Sequence, residues 1–113
     1  MPSPSLPEPE PTDKGPKMDI LLHITTPAAA PIAAALGRAL SAKGATWAAF
    51  LTNDGVKAMN DVGFAAASKG AARVAVCEHS WDAHMSGQDC PVERGSQTVN
   101  SGLMAEATGV ISL

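Results

Sequence analysis

Tyrosine is absent from the 113 residues, and tryptophan and phenylalanine supply two residues each. A core must therefore be built from small aliphatic side chains, with alanine prominent in the 45% hydrophobic fraction, and such side chains suit close packing of helices on a sheet. Basic charge is also scarce. Eight Lys and Arg, scattered along the chain, stand against eleven Asp and Glu, giving a net charge of −3 and a pI near 5.4. No electrostatic footprint for nucleic acid is present. No apolar run approaches the roughly 20 residues that cross a bilayer, so no membrane association is expected. Cysteine occurs twice. With no basic and then apolar leader ahead of them, the two thiols are expected to be reduced, in a cytoplasmic protein.

A chain of this length holds one domain of ordinary size. Met1 to Lys17 carries six of the nine prolines together with Glu8, Glu10 and Asp13, a composition that predicts a disordered, partly extended tail over residues 1–17. The folded domain is expected over 18–113. Met18 to Ile24 is a short apolar run that reads as a buried strand. Thr25-Thr26-Pro27 supplies caps, after which Ile32, Leu36, Ala39 and Leu40 recur at helical spacing until Lys43-Gly44. Ala45 to Leu51 reads as the second strand, closed by Asn53-Asp54-Gly55. Val56 to Ser68 reads as one bent helix or two short ones, broken near Gly63. Arg73 to Cys77 is the third strand, β-branched at Val74 and Val76. Beyond it the pattern weakens: Ser80 is placed to cap a turn of helix and Cys90-Pro91-Val92 to form a short strand. Ser96 or Thr98 caps a last helix with Val99, Leu103, Met104 and Ala107, and Gly109 to Leu113 closes the sheet. Alternating strands and helices predict an α/β fold, a mainly parallel sheet with helices on both faces.

Sites in open parallel sheets gather at the carboxyl ends of the strands, where strand order reverses. With the common order 2-1-3, the strand ends carrying His23 and Cys77 are neighbours, and Thr25, Thr26, Asn53, Cys77 and His79 line one crevice. A cysteine leaving a buried strand is partly desolvated yet close to backbone N–H groups that stabilise a thiolate. A buried cysteine also serves as a small hydrophobe, so position alone leaves both roles open. Thr25-Thr26-Pro27-Ala28 has no glycine and loses an N–H donor at Pro27, which argues against a phosphate cradle. Trp47 and Trp81 are assigned to core or subunit-interface packing in preference to stacking on a planar ligand. No cofactor is expected.

Four segments carry a resemblance: Asp19-Ile20-Leu21-Leu22-His23-Ile24-Thr25-Thr26, Phe50-Leu51-Thr52-Asn53-Asp54-Gly55-Val56, Val74-Ala75-Val76-Cys77, and Ala107-Thr108-Gly109-Val110-Ile111-Ser112-Leu113. In order and spacing the chain from Met18 to Leu113 resembles the DsrE/DsrF-like sulfur-relay family, which includes the TusBCD and YchN-like proteins. The resemblance implies a flavodoxin-like three-layer sandwich with a five-stranded sheet, assembly as homo- or hetero-oligomeric trimers or hexamers, and partners that donate and accept sulfur. It further implies a persulfide on the cysteine after the third strand, here Cys77, making the chain a sulfurtransferase-like carrier.

The sequence departs from that family after Cys77, where Glu78-His79-Ser80-Trp81-Asp82 stands in place of small or basic residues. An acidic neighbour opposes thiolate formation, and the imidazoles of His79 and His23 are the groups expected to offset it by accepting or sharing a proton. Two other readings use the same stretch. Cys77, His79, His84 and Cys90 form a soft-ligand set for Zn²⁺ or copper, though their spacing matches no familiar finger. Cys77 and Cys90 also permit a reversible disulfide, with Cys90 as the resolving or second thiol of a redox switch. A non-catalytic oligomeric binding subunit is the alternative from a different functional class.

Overall fold

The computed structural model describes residues 18–113; the tail expected over 1–17 lies outside them. Five strands form one all-parallel sheet: β1 (Met18–Ile24), β2 (Trp47–Leu51), β3 (Arg73–Cys77), β4 (Glu93–Gly95) and β5 (Ala107–Ser112). The helices α1 (Ala30–Ala42), α2 (Val62–Ala67), α3 (Glu78–His84) and α4 (Gln97–Glu106) alternate with them, and a 3-10 segment, Asn53–Asn60, precedes α2. The architecture is the α/β fold expected from the alternation of elements, and it is consistent with the flavodoxin-like sandwich that the resemblance implies. Among the described residues, no helix is long and apolar enough to cross a membrane.

Strand order is β4-β3-β2-β1-β5, not one with β1 beside β3. β2 separates them, and its five residues are all buried, as the middle strand of a sheet covered on both faces requires. Crossovers between parallel strands are right-handed, so the direction of each step along the sheet decides which face its helix covers. The steps β1 to β2, β2 to β3 and β3 to β4 run the same way. They place α1, the 3-10 segment with α2, and α3 on one face, where Leu22, Ile24, Ala49, Leu51 and Val76 meet Phe64, Trp81 and Met85. The return from β4 to β5 places α4 alone on the other face, over Leu21, Ala48, Phe50, Ala75 and Cys77.

Close packing on the first face rests on small residues. The buried stripe of α1 is Ala30, Ala33, Ala34 and Gly37; of the stripe predicted from Ile32, Leu36, Ala39 and Leu40, Leu36 and Leu40 pack at its margin, whereas Ile32 and Ala39 are exposed. The indole of Trp47 explains the glycine: a Cβ at Gly37 would stand 2.7 Å from the ring, so only glycine lets the helix approach. Trp47 Nε1 donates to Ser41 Oγ at 2.9 Å, which satisfies the buried indole N–H. Both tryptophans are core residues.

Local breaks follow side-chain capping. Thr26 Oγ1 accepts from the Ala28 N–H at 3.3 Å and starts a 3-10 turn, Pro27–Ala29, ahead of α1. The helical stretch after β2 breaks at Asp61, not Gly63, because Asp61 Oδ1 accepts from the Phe64 N–H at 2.8 Å and opens a new helix. The short strand expected at Cys90-Pro91-Val92 lies at Glu93–Gly95 instead. Pro91 has no N–H to give a ladder, whereas Glu93 is held beside β3 by two hydrogen bonds from Arg73, Nε to Oε1 at 2.8 Å and Nη2 to Oε2 at 2.6 Å.

Candidate functional site

Strand order reverses in function where adjacent strands send their connections to opposite faces. In this sheet such neighbours are β3, which continues into α3 on the crowded face, and β4, which continues into α4 on the other. A cavity of about 360 Å³ opens there, lined by Cys77, Glu78, His79, Asp82, Gly95, Ser96 and Gln97. One wall is the β3–α3 junction and the other the β4–α4 junction. The crevice expected beside His23 is therefore displaced by two strands, and Cys77 has kept its place at a carboxyl edge with different neighbours.

Cys77 is the last residue of β3 and the residue before α3. It pairs in register with Gly95, so the position beside it on β4 carries no side chain. A Cβ on Gly95 would stand 2.9 Å from a methyl of Val99, which is how closely α4 lies over this edge. Cys77 is 8% exposed and unpaired. Burial pushes its thiol pKa up, but the nearby Ser80 hydroxyl, the Ser80 and His79 N–H groups and the Thr52 hydroxyl outweigh that and leave it below its ordinary value. These donors favour the thiolate.

The hydroxyls belong to a small buried network. Ser80 lies three residues beyond Cys77, on the same side of the first helical turn. Asn53 N–H donates to Ser80 Oγ at 2.8 Å, and Thr52 Oγ1 lies 3.4 Å from the same oxygen. Both hydroxyl residues are 8% exposed. Asn53 holds φ at +55°, the left-handed region where asparagine is the most tolerated residue after glycine. Its neighbour Gly55 is equally constrained, since a Cβ there would lie 2.6 Å from the Ile24 carbonyl oxygen. The β1 and β2 ends thus press together and hold the Thr52–Asn53 corner against α3.

The other residues named from sequence are dispersed. His23 stacks on Phe50 with ring centroids 6.3 Å apart. Its register partners are Phe50 on β2 and Ser112 on β5, and two interstrand spacings of about 4.8 Å separate its strand from that of Cys77. Burial lowers its pKa. It does not share a proton with the thiol; the hydroxyl and N–H donors take the part assigned to it. Thr25 Oγ1 donates to the Leu113 carbonyl at 2.9 Å and ties β1 to the end of the chain. Thr25, Thr26 and Asn53 share the carboxyl edge but do not line the cavity. His79 does line it, and is exposed.

Cys90 packs against the crowded-face core and donates its S–H to the Val92 carbonyl at 3.2 Å. Cys77 belongs to the core of the opposite face, so the sheet stands between the two thiols and a pairing within one chain is not formed. Cys77, His79, His84 and Cys90 do not converge: among the described residues no three His, Cys, Asp or Glu side chains form a group able to hold a metal ion.

Sequence reasoning missed Thr52 and Ser80 as partners of the thiol. Ser80 had been read as a helix cap, and the available signal was its spacing of three from Cys77. Ser96, read from sequence as a helix cap, also supplies the cavity wall together with Gln97. A second cavity of about 470 Å³ on the crowded face is lined mainly by apolar groups, including Met59, Val74 and Val92, and contains neither cysteine. The chain matches no family model, no curated protein and no solved structure.

Proposed function

We propose that the protein is a small sulfur-relay carrier in which Cys77 is the atom that accepts and passes on sulfane sulfur. The observation carrying this reading is a buried thiol at the end of β3 that lines a cavity at the carboxyl edge of the sheet, with the Thr52–Ser80 hydroxyl pair at the same edge. The resemblance of the four segments to the DsrE/DsrF-like family supports it independently.

The chemistry needs no cofactor. The Cys77 thiolate attacks the outer sulfur of a donor persulfide, R–S–SH. The donor S–S bond breaks, R–S⁻ leaves, and Cys77–S–SH forms. An acceptor thiolate then attacks the outer sulfur of Cys77–S–SH and releases the Cys77 thiolate. One S–S bond breaks and one forms in the first transfer, and the outer sulfur is handed on at an unchanged oxidation level. His79, at the cavity wall, is the nearest imidazole for exchanging a proton with the outer sulfur. A cavity of this size admits the tip of a partner's cysteine-bearing segment, in keeping with donor and acceptor proteins as partners. The resemblance further implies a trimer or hexamer, which sedimentation equilibrium measures directly.

Intact-mass spectrometry after incubation with inorganic tetrasulfide, or with a persulfidated carrier protein, tests the reading. Wild type should gain about 32 Da per sulfur atom, located on Cys77 by peptide mapping. Cys77→Ser should gain nothing there, and Cys90→Ser should behave as wild type. A folded, reduced wild type that never acquires sulfur on Cys77 would eliminate the proposal.

A further inference from the structure

We infer that Ser80 and Thr52, oriented by the backbone of Asn53, are positioning residues that make Cys77 a good leaving group, so that the site is built for discharging sulfur more than for capturing it. The inference rests on the relay reading and concerns its second half-reaction.

A serine hydroxyl has one proton and two acceptor lone pairs. The Asn53 N–H, at 2.8 Å, occupies one lone pair of Ser80 Oγ, so the proton must point away from Asn53. Two receivers remain: Thr52 Oγ1 at 3.4 Å, and the Cys77 sulfur, at the N-cap of the same helix three residues before Ser80, whose pKa both hydroxyls help to lower. While Cys77 carries an outer sulfur, its inner sulfur is neutral and a poor acceptor, and one hydroxyl donates to the other. When an acceptor pulls the outer sulfur away, negative charge develops on the inner sulfur. Both O–H groups can then turn onto it without moving a backbone atom.

Hydrogen bonds that appear with the charge speed its formation, because they are stronger in the transition state than before it. The effect on the two half-reactions is unequal. Stabilising a thiolate raises the fraction present at neutral pH but lowers its intrinsic nucleophilicity, so capture gains little. A stabilised thiolate leaves faster, so discharge gains in full. Asn53 acts through its N–H and its left-handed backbone; its side chain takes no part. Glycine is thus the substitution that retains the device, and proline the one that removes the donor and forbids the positive φ.

The test uses the full-length Cys90→Ser protein, so that only Cys77 reports. Cyanide discharges a loaded protein by attacking the outer sulfur, giving thiocyanate and the Cys77 thiolate. At fixed pH and cyanide concentration, Ser80→Ala should slow thiocyanate release by roughly tenfold. The isosteric Thr52→Val should slow it less, and Thr52→Ser should restore it. Loading from tetrasulfide should change by no more than about twofold to threefold. Asn53→Gly should match its parent, and Asn53→Pro should resemble Ser80→Ala. In parallel, the pH profile of iodoacetamide alkylation should move to higher pH in Ser80→Ala, a shift that loss of packing alone would not produce. Circular dichroism checks that each variant is folded. Equal discharge rates for the parent and Ser80→Ala, or loading slowed as much as discharge, overturn the inference. Failure of the parent to load removes the relay reading, and the discharge claim with it; the alkylation profile then reports only on the hydroxyls' hold on the thiolate.

Discussion

On the face under α1, α2 and α3, the sheet meets Trp47, Phe64, Trp81 and a stripe of small residues packed to the limit of contact. On the face under α4 it meets Leu103 and the half-buried Val99, and that side of the sheet ends at Cys77. Three crossovers stepping one way and a single return produce this asymmetry. The crowded face carries most of the buried apolar surface and therefore most of the stability. On the sparsely covered face the one helix leaves the carboxyl edge at Cys77 open to the cavity between β3 and β4.

The sharpest way to break this contrast is Trp47→Ala. It removes the largest fully buried side chain beneath Gly37 and should cost about 3–5 kcal/mol, measured by urea unfolding. A loss below about 1 kcal/mol would mean that the two faces do not differ as described. Asp61→Ala removes the cap that starts α2 and should cost about 1 kcal/mol in the same assay, leaving Cys77 reactivity unchanged. On the other face, Cys77→Ser should abolish sulfur loading yet alter stability by about 1 kcal/mol or less, which separates chemistry from support.

Smaller effects sharpen the comparison through pH. Burial lowers the His23 pKa below its ordinary 6.5, so the unfolded chain takes up the proton first. Stability should be unaffected by this group above that value. It should fall as the pH drops from 6.5 toward the lower folded value, and then level off. His23→Phe should flatten this acid-side decline in urea midpoints measured between pH 5 and 7. The Arg73–Glu93 pair is the smallest case. Arg73 lowers the Glu93 pKa, but both side chains are about 40% exposed, so Glu93→Gln should cost under about 1 kcal/mol and progressively less at high salt.

Much of the fold was legible because buried strands write themselves as short apolar runs. Met18–Ile24 and Arg73–Cys77 have the same bounds in sequence and structure. Strand order was less legible, since a run shows burial but not its neighbours; the one hint was that Trp47 to Leu51 is apolar at every position, as a middle strand should be. β4 was missed by three residues because Glu93-Arg94-Gly95 has no apolar pattern and owes its place to Arg73. In the site, Cys77 was legible from its position at a strand end. His23 was misassigned because the role depended on strand order, and the Thr52–Asn53–Ser80 network was invisible because it joins residues 27 and 28 positions apart.

β4 pairs with β3 over three residues only; besides that ladder it is held by the packing of Gly95 under Val99 and by two exposed ion pairs, Arg73–Glu93 and Arg94–Asp82. Local opening costs least where few buried contacts must be broken. The wall formed by Gly95, Ser96 and Gln97 is therefore expected to open at a lower free energy than the strand interior behind Cys77, which hydrogen exchange of the β4 amides against those of β2 would measure. Access to the sulfur is thus a property of the edge strand, and its reactivity a property of the sheet interior, so the two can be tuned by separate substitutions.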